Sequence, residues 1–137
     1  MDKMSKISVL MPLYNAENYV KESVKSILDQ TFKDFELIVI DDCSKDGSFQ
    51  IVSDMSKTDS RLKIYRNETN LGVVSTRNKL IELSVGKYIA MLDSDDVAFA
   101  ERLKTQYEFM ENNPDIAACG SGALIINESG KKIGVWK

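Results

Sequence analysis

Residues 7–48 read ISVLMPLYNAENYVKESVKSILDQTFKDFELIVIDDCSKDGS. Two apolar runs in this stretch, residues 7–13 and 35–40, have the length and composition of buried strands. The segment between them predicts a helix with Asn15 as its N-cap and an apolar face made by Val20, Val24, Ile27 and Leu28. Strand, helix and strand in this order indicate a crossover between parallel strands.

The rest of the chain continues this alternation. Further strands are predicted at residues 62–65, 88–92, 116–119 and 123–126, and further helices at residues 49–55, 73–84 and 99–113. We expect Gly86 to end the helix that precedes it and a hairpin turn at residues 128–130. The predicted fold class is α/β: a Rossmann-like α/β/α sandwich with a mostly parallel central sheet, in one domain over residues 1–137.

The composition excludes several classes of protein. The chain of 137 residues is 43% hydrophobic and 28% charged, as globular domains are, and its net charge of −3 offers no basic surface to nucleic acid. It has no histidine, and its two cysteines lack CxxC spacing, so we expect neither a zinc site nor histidine catalysis. No leader peptide or membrane-spanning run is recognisable. We expect a cytoplasmic protein and leave open a peripheral position at the inner face of the membrane for a longer chain.

Acidic residues follow two of the predicted strands. Asp41 and Asp42 follow the run at 35–40, and the run at 88–92 is followed by Asp93, Ser94, Asp95 and Asp96. Parallel strands bring their carboxyl ends to one edge of the sheet, where ligands bind, so we expect the two clusters to meet. Carboxylates at this spacing suit Mg²⁺ or Mn²⁺, which take one or two carboxylates plus substrate phosphates. A cation there would bridge the acidic edge to a diphosphate.

Each candidate residue also has a purely structural explanation. Asp95 or Asp96 can cap the next helix, and the acidic pair after the second strand can form only a turn. Tyr14 can be a half-buried aromatic residue or a platform for a flat ring. Arg77 can be a solvated helix residue, or it can face a phosphate or the acidic pair.

Other phosphate and calcium motifs do not occur in the sequence. No GxGxxG follows the first strand and no GxxxxGK[ST] exists, which argues against a dinucleotide dehydrogenase and a P-loop NTPase. A calcium loop that starts at Asp42 would place Ser53 at its twelfth position, and one that starts at Asp93 would place Ala98 at its sixth. Both fail the EF-hand pattern.

Three stretches together resemble the inverting family 2 glycosyltransferases with the GT-A fold: residues 7–48, NLGVVSTRN at 70–78 and GKYIAMLDSDD at 86–96. It is the order and spacing of these stretches along residues 7–96 that carry the resemblance. The resemblance implies a single GT-A domain that binds a nucleoside-diphosphate sugar, usually a UDP-sugar, together with Mn²⁺ or Mg²⁺. It also implies transfer of the sugar to a glycan or lipid-linked acceptor in surface-polysaccharide assembly.

The resemblance further implies roles for individual residues at the nucleotide. Pro12 and Tyr14 would line the uracil site. Asp42 would accept a hydrogen bond from the uracil ring, and Asp41 would support the same loop within the nucleotide-binding set. Arg77 would lie near the nucleotide and the acidic motif.

The acidic motif takes the remaining implied roles. Asp93 would contact the ribose or the metal-bound region, and Asp95 would ligate the metal that holds the diphosphate. Members of the family continue well past the point that corresponds to Lys137, and their acceptor-binding segment and acidic general base lie in that continuation. We therefore assign no catalytic base and expect one beyond Lys137. We expect this portion to expose apolar sheet surface and to self-associate.

Two other functions remain open from the sequence. One is a nucleotide-sugar-binding module without catalysis, which differs from a transferase only in having no transfer activity. The other is a phosphatase with an aspartyl nucleophile, because Asp93 to Val97 resembles the DxDx[TV] motif, with Asp93 as nucleophile and Asp95 as acid and base. In this chain the motif comes late, and no second acidic pair follows it.

Overall fold

The computed structural model describes residues 5–137. Its strands are β1 (Ile7–Leu13), β2 (Phe35–Asp41), β3 (Leu62–Arg66), β4 (Tyr88–Met91), β5 (Ala123–Ile126) and β6 (Lys132–Trp136). Its helices are α1 (Val20–Leu28), α2 (Ser48–Ser56), α3 (Val73–Leu83) and α4 (Arg102–Asn112). Residues up to Lys104 and residues from Thr105 form two compact units.

The first unit is built on a parallel sheet with the strand order β3-β2-β1-β4. Right-handed crossovers place α1 and α2, which lead successively from β1 to β2 to β3, on one face. The connection through α3 leads back to β4 on the other side of β1, so α3 covers the opposite face. There Leu80 forms a buried cluster with Leu10, Ile38 and Ile40. This arrangement confirms the predicted α/β class with a parallel central sheet.

Burial follows the position of each strand in the sheet. All seven residues of β2 are buried. This is expected for a strand that is covered on both faces, and most residues of such a strand are apolar. Edge strand β4 alternates between half-buried and exposed residues, and its exposed positions are Ile89 and Met91. The apolar residues of β4 are therefore only half-buried or exposed among the residues that the structure describes.

The first helix begins later than the sequence predicts. Asn15 has a φ of 47°, and α1 starts at Val20. The amide of Asn15 donates to Ser44 Oγ (2.9 Å), and its Oδ1 accepts from the Lys45 amide (2.9 Å). The prediction that Asn15 caps α1 is wrong because this side chain joins the loop after β1 to the loop after β2.

Two other local predictions differ from the structure. Gly86 was expected to end α3, but the helix stops at Leu83, and a Cβ on Gly86 would lie 2.5 Å from the backbone nitrogen of Ser8. Glycine is needed at this position for the close approach of the chain to β1. The helix predicted over residues 99–113 begins only at Arg102, and Phe99 lies outside it and is exposed.

The second unit contains α4 from Thr105 onward and an antiparallel hairpin of β5 and β6. The hairpin turn lies where the sequence predicts it, and the Asn127 side chain accepts hydrogen bonds from the amides of Ser129 and Lys131. Residues 116–119, predicted as a strand, are not in one. The prediction of a single domain stays a prediction. No helix in residues 5–137 has both the length and the apolar character needed to cross a membrane.

Candidate functional site

A cavity of about 480 Å³ opens at the carboxyl edge of the parallel sheet. It lies beyond β1, the strand at which the chain order of the sheet reverses, and this is the position where open α/β sheets bind ligands. The loops after all four strands of this sheet contribute to its wall. This strand-end cavity is lined by Pro12, Leu13, Tyr14, Asn15, Ala16, Tyr19, Asp42, Asn70, Gly72, Val73, Thr76, Arg77, Asp93, Ser94 and Asp95.

The carboxylate of Asp42 organises one wall of the cavity. Its Oδ1 accepts hydrogen bonds from Asn67 Nδ2 (2.8 Å) and the Leu71 amide (2.8 Å), and its Oδ2 accepts one from the Gly72 amide (2.8 Å). Gly72 has a φ of 83°, a conformation that glycine adopts at no steric cost. Asp42 thus fixes the turn that leads into α3.

These contacts also determine the ionisation of Asp42. Burial alone would raise its pKa, but hydrogen bonds from the amides of Leu71 and Gly72 and from the side chains of Asn67 and Thr76 lower the pKa below its usual value. The group is therefore a carboxylate at neutral pH. A carboxylate has about four acceptor positions, and the Asn67, Leu71 and Gly72 donors occupy three of them.

The loops after β1 and β2 are joined by hydrogen bonds beyond those of Asn15. The Ala16 amide donates to Ser48 Oγ (2.8 Å), the Gly47 amide donates to Glu17 Oε2 (2.8 Å), and the Glu17 amide donates to Asp46 Oδ2 (3.1 Å). The joined loops present Tyr14, whose residue surface is 46% exposed. An aromatic ring with one free face can stack on a planar ligand.

Asp41 is the predicted site residue that does not line the cavity. It is fully buried and forms an ion pair with Arg66 Nε (3.0 Å). Its oxygens also accept from the Ser44 amide at 3.3 and 3.2 Å. Asp41 therefore stabilises the loop after β2 from a buried position outside the cavity. The resemblance suggested such a supporting position for it.

Arg77 reaches across the cavity from α3 to the loop after β4. Its Nη2 donates to Asp93 Oδ1 (2.7 Å), and both side chains remain partly exposed. Arg77 Nε is buried and has no hydrogen-bond partner among the described residues. A buried unpaired donor is uncommon in proteins, and this one belongs to the guanidinium group that bonds to Asp93. Arg77 therefore forms an ion pair with Asp93, in the loop after β4.

The acidic loop, residues 93–96, concentrates negative charge at the same end of the cavity. Burial raises the pKa of Asp96, and the neighbouring carboxylates of Asp95 and Asp93 raise it further. Asp93 and Asp95 are exposed to the cavity. Because α4 starts only at Arg102, capping of that helix does not account for Asp95 or Asp96.

The donor set fits a cation that shares its ligands with a phosphate. No group of three His, Cys, Asp or Glu residues in the described part of the chain is arranged to hold a metal ion by itself. Mg²⁺ is commonly bound through only one or two carboxylates plus substrate phosphates. Asp95 and Asp93 supply that number. Arg77 offsets part of their negative charge, and a cation would offset the rest.

The structure thus brings together six of the seven residues predicted for the site, which are Pro12, Tyr14, Asp42, Arg77, Asp93 and Asp95. Sequence reasoning missed Tyr19, Asn70 and Thr76 as wall residues. Asn70 and Thr76 belong to the stretch at 70–78 that carried the resemblance, so the resemblance pointed to these positions but assigned no role to either residue. Tyr19 had no signal, because it lies in a turn that the sequence assigned to the first helix.

A parallel sheet with a cavity at its carboxyl edge, lined by aromatic, acidic and basic side chains, is the architecture of α/β proteins that bind nucleotides there. The family model described as glycosyl transferase family 2 matches residues 8–136. The chain belongs to this family.

Relatives and solved structures agree with this assignment. The chain is 42% identical over 133 residues to an uncharacterised glycosyltransferase of Methanocaldococcus jannaschii, covering 96% of this chain and 46% of that protein. It is 42% identical over 104 residues to TuaG of Bacillus subtilis, whose name describes a teichuronic acid biosynthesis glycosyltransferase, covering 76% of this chain and 41% of TuaG. The chain thus spans about half the length of the curated relatives it matches or less.

Among solved structures, a crystal structure of residues 1–349 of Staphylococcus aureus TarS in complex with UDP-GlcNAc is similar to this chain. The TM-score is 0.75 and the identity 36%, and the match covers 80% of this chain and 32% of the TarS chain. The likeness supports the GT-A type of α/β fold that the sequence resemblance implied.

Proposed function

We propose that the chain is the nucleotide-sugar-binding portion of an inverting, metal-dependent glycosyltransferase that uses a UDP-sugar. The observation that carries the proposal is the strand-end cavity. It has an exposed aromatic ring at the end of β1 and an arginine of α3 that pairs with one of the two carboxylates after β4. A nucleoside diphosphate has the matching division into a flat base and a charged diphosphate.

The base end of the cavity would be formed by Pro12, Tyr14 and Asp42. Tyr14 offers a ring face for stacking, which contributes roughly 1–3 kcal/mol per base in other proteins. Asp42 keeps its proposed role as acceptor for the ring N–H of uracil. Internal donors occupy three of its acceptor positions, and the base would take the fourth.

The diphosphate end would be formed by Arg77, Asp93 and Asp95. Asp95, assisted by Asp93, would hold Mn²⁺ or Mg²⁺, and the cation, when bound, would neutralise the diphosphate as its sugar bond breaks. The Arg77 side chain is partly exposed and would offer an accessible guanidinium N–H to a phosphate oxygen while Asp93 holds its Nη2. Without a cation, the two carboxylates would repel the diphosphate.

Two named relatives favour this substrate class. TarS, 36% identical to this chain, is described in complex with UDP-GlcNAc, and TuaG, 42% identical, is named for teichuronic acid biosynthesis. We therefore propose a UDP-sugar as donor and a glycan or lipid-linked acceptor in surface-polysaccharide assembly.

The test is calorimetry of UDP binding with Mn²⁺ and with EDTA. We expect clearly tighter binding with Mn²⁺, and we expect Asp95→Asn to remove most of that gain because it removes the main ligand. Asp115→Asn is the matched control, since it makes the same change of charge at an exposed position in the second unit and should leave the gain intact. Equal UDP affinity with and without metal would sink the proposed metal-dependent site.

A further inference from the structure

Helix α1 carries a polar row beside its apolar face. The apolar face consists of Val20, Val24 and Ile27, all fully buried. The polar row consists of Ser23 and Ser26 of α1 and is continued by Gln30, which lies two residues past the end of the helix. Ser23 and Gln30 are also 0% exposed.

The polar row bonds to the main chain of one irregular segment, residues 94–103. Ser23 Oγ donates to the Ser94 carbonyl (2.8 Å), and Ser26 Oγ accepts from the Ala98 amide (3.0 Å). Gln30 Nε2 donates to the Phe99 carbonyl (2.7 Å), and Gln30 Oε1 accepts from the Leu103 amide (2.9 Å). The row thus holds the chain at four points between the acidic loop and the first turn of α4.

Two backbone bonds also hold this segment: the Thr31 amide donates to the Ala100 carbonyl (3.0 Å), and the Asp96 amide donates to the Asp93 carbonyl (3.1 Å). Buried main-chain groups need partners, and the side chains of the polar row supply four of them. Ser94 is buried between two exposed aspartates, so fixing its carbonyl fixes the direction in which both neighbours point.

We propose that Ser23, Ser26 and Gln30 are positioning residues that hold the acidic loop in the geometry that binds a cation and diphosphate. The proposal rests on the proposed function of the strand-end cavity. The row touches neither ligand; it acts only through the backbone of residues 94–103 and bonds to neither the Asp93 nor the Asp95 carboxylate. A helix that only had to cover the sheet would not need polar side chains at fully buried positions, where an unpaired polar group costs stability.

The experiment compares Ser23→Ala with Ser8→Ala in the full 137-residue chain. Ser8 is also fully buried, and its hydroxyl accepts from the Gly86 amide (2.8 Å) and donates to Glu36 (2.6 Å) near the other end of the sheet. Both variants lose buried hydrogen bonds, but only one loses contact with the acidic loop. The readout is the ratio of UDP affinity with Mn²⁺ to UDP affinity with EDTA, by calorimetry.

We expect Ser23→Ala to reduce this ratio roughly tenfold, by analogy with residues that orient metal ligands, while Ser8→Ala keeps the wild-type ratio. Gln30→Leu should act like Ser23→Ala. If the wild-type ratio is well above one and both Ser23→Ala and Gln30→Leu keep it, the positioning role is overturned and the proposed function stays intact. A ratio of one in the wild type would overturn the proposed function and the positioning role with it.

Amide hydrogen exchange gives a second readout that needs no ligand. The amides of Ala98 and Leu103 should be protected in the wild type, and Ser26→Ala should release Ala98 while the amides of β1 and β2 stay protected. Fast exchange of both amides in the wild type would show that the row does not hold the segment, and would also overturn the proposal.

Discussion

Asp42 shows how one side chain can be both a wall residue and a structural anchor. Its carboxylate accepts from two successive amides and a buried asparagine, so replacing it affects the loop before it affects a ligand. Asp42→Asn would turn an amide NH₂ toward a backbone N–H or toward Asn67. We expect it to lower the free energy of unfolding by about 1–3 kcal/mol, the cost of leaving a buried donor unpaired, as measured by urea denaturation.

The preference for uracil over cytosine is also expected to depend on single residues. UDP is expected to bind more tightly than CDP, because the cytosine ring lacks the N–H that Asp42 would accept. Tyr14→Ala should weaken both nucleotides by roughly 1–3 kcal/mol through lost stacking, whereas Asp42→Ala should mainly reduce the UDP to CDP ratio. Competition calorimetry on each variant separates the ratio from the general loss caused by a disturbed loop. If CDP and UDP compete equally in the wild type, the proposed base contact of Asp42 is wrong.

At the scale of elements, Glu36 joins the strands at the edge opposite the cavity. It accepts from Ser8 Oγ (2.6 Å), Lys63 Nζ (2.8 Å) and the Val85 amide (3.2 Å). Burial raises its pKa, but these donors lower it further than burial raises it, so the net pKa lies below the usual value. The bonds therefore tie β1, β2, β3 and the chain entering β4 to one carboxylate.

This gives a pH dependence of stability. Since the folded pKa of Glu36 is depressed, its contribution is complete above the unfolded value of about 4.3 and is lost as the pH falls through the lower folded value. Glu36→Gln should lower stability at pH 7 and flatten the loss of stability between about pH 5 and pH 3. Asp54→Asn is the control, because its carboxylate also pairs with a lysine but in an exposed pair. Parallel urea-denaturation curves for wild type and Glu36→Gln across this range would contradict the expectation.

At the scale of the whole molecule, we expect the 137-residue chain to transfer no sugar by itself. Inverting transfer needs a base within hydrogen-bond reach of the acceptor hydroxyl; the chain has no histidine, and the carboxylates proposed to bind metal lose basicity to the cation. The acidic residues after the acidic loop, Glu101, Glu108, Glu111, Asp115 and Glu128, do not line the strand-end cavity. With a panel of UDP-sugars, Mn²⁺ and acceptors, UDP release should equal the blank. Robust acceptor-dependent turnover would show that a base has been overlooked.

The exposed apolar surface of the first unit predicts self-association. Ile89 and Met91 on edge strand β4 and Val74 and Ile81 on α3 are all at least 36% exposed. Within the described residues β4 pairs with β1 alone, and an apolar open edge favours pairing with another chain. Light scattering should show association that rises with concentration, and Ile89→Lys should reduce it. A monomer at high concentration would argue against this surface as a contact.

The sequence by itself determined the order of elements and the end of the sheet where the site lies. Continuous apolar runs such as residues 35–40 and the helical spacing of Val20, Val24 and Ile27 are local patterns, and alternation of strands and helices leaves few topologies. That is why the strand-end residues Tyr14, Asp42, Asp93 and Asp95 could be placed at one edge of the sheet from the pattern, whereas the family resemblance placed Arg77 with them.

Only the tertiary structure decided what these side chains bond to. The sequence predicts Asn15 as a helix cap and Gly86 as a helix stop and indicates no role for Ser23 or Gln30, yet each contacts a segment at least 29 residues away in the chain. Polar side chains seek any donor or acceptor within about 3 Å, and spacing along the chain does not reveal which distant group that will be. Apolar burial is non-directional and visible in a pattern, whereas hydrogen bonds depend on a geometry that only the folded chain creates.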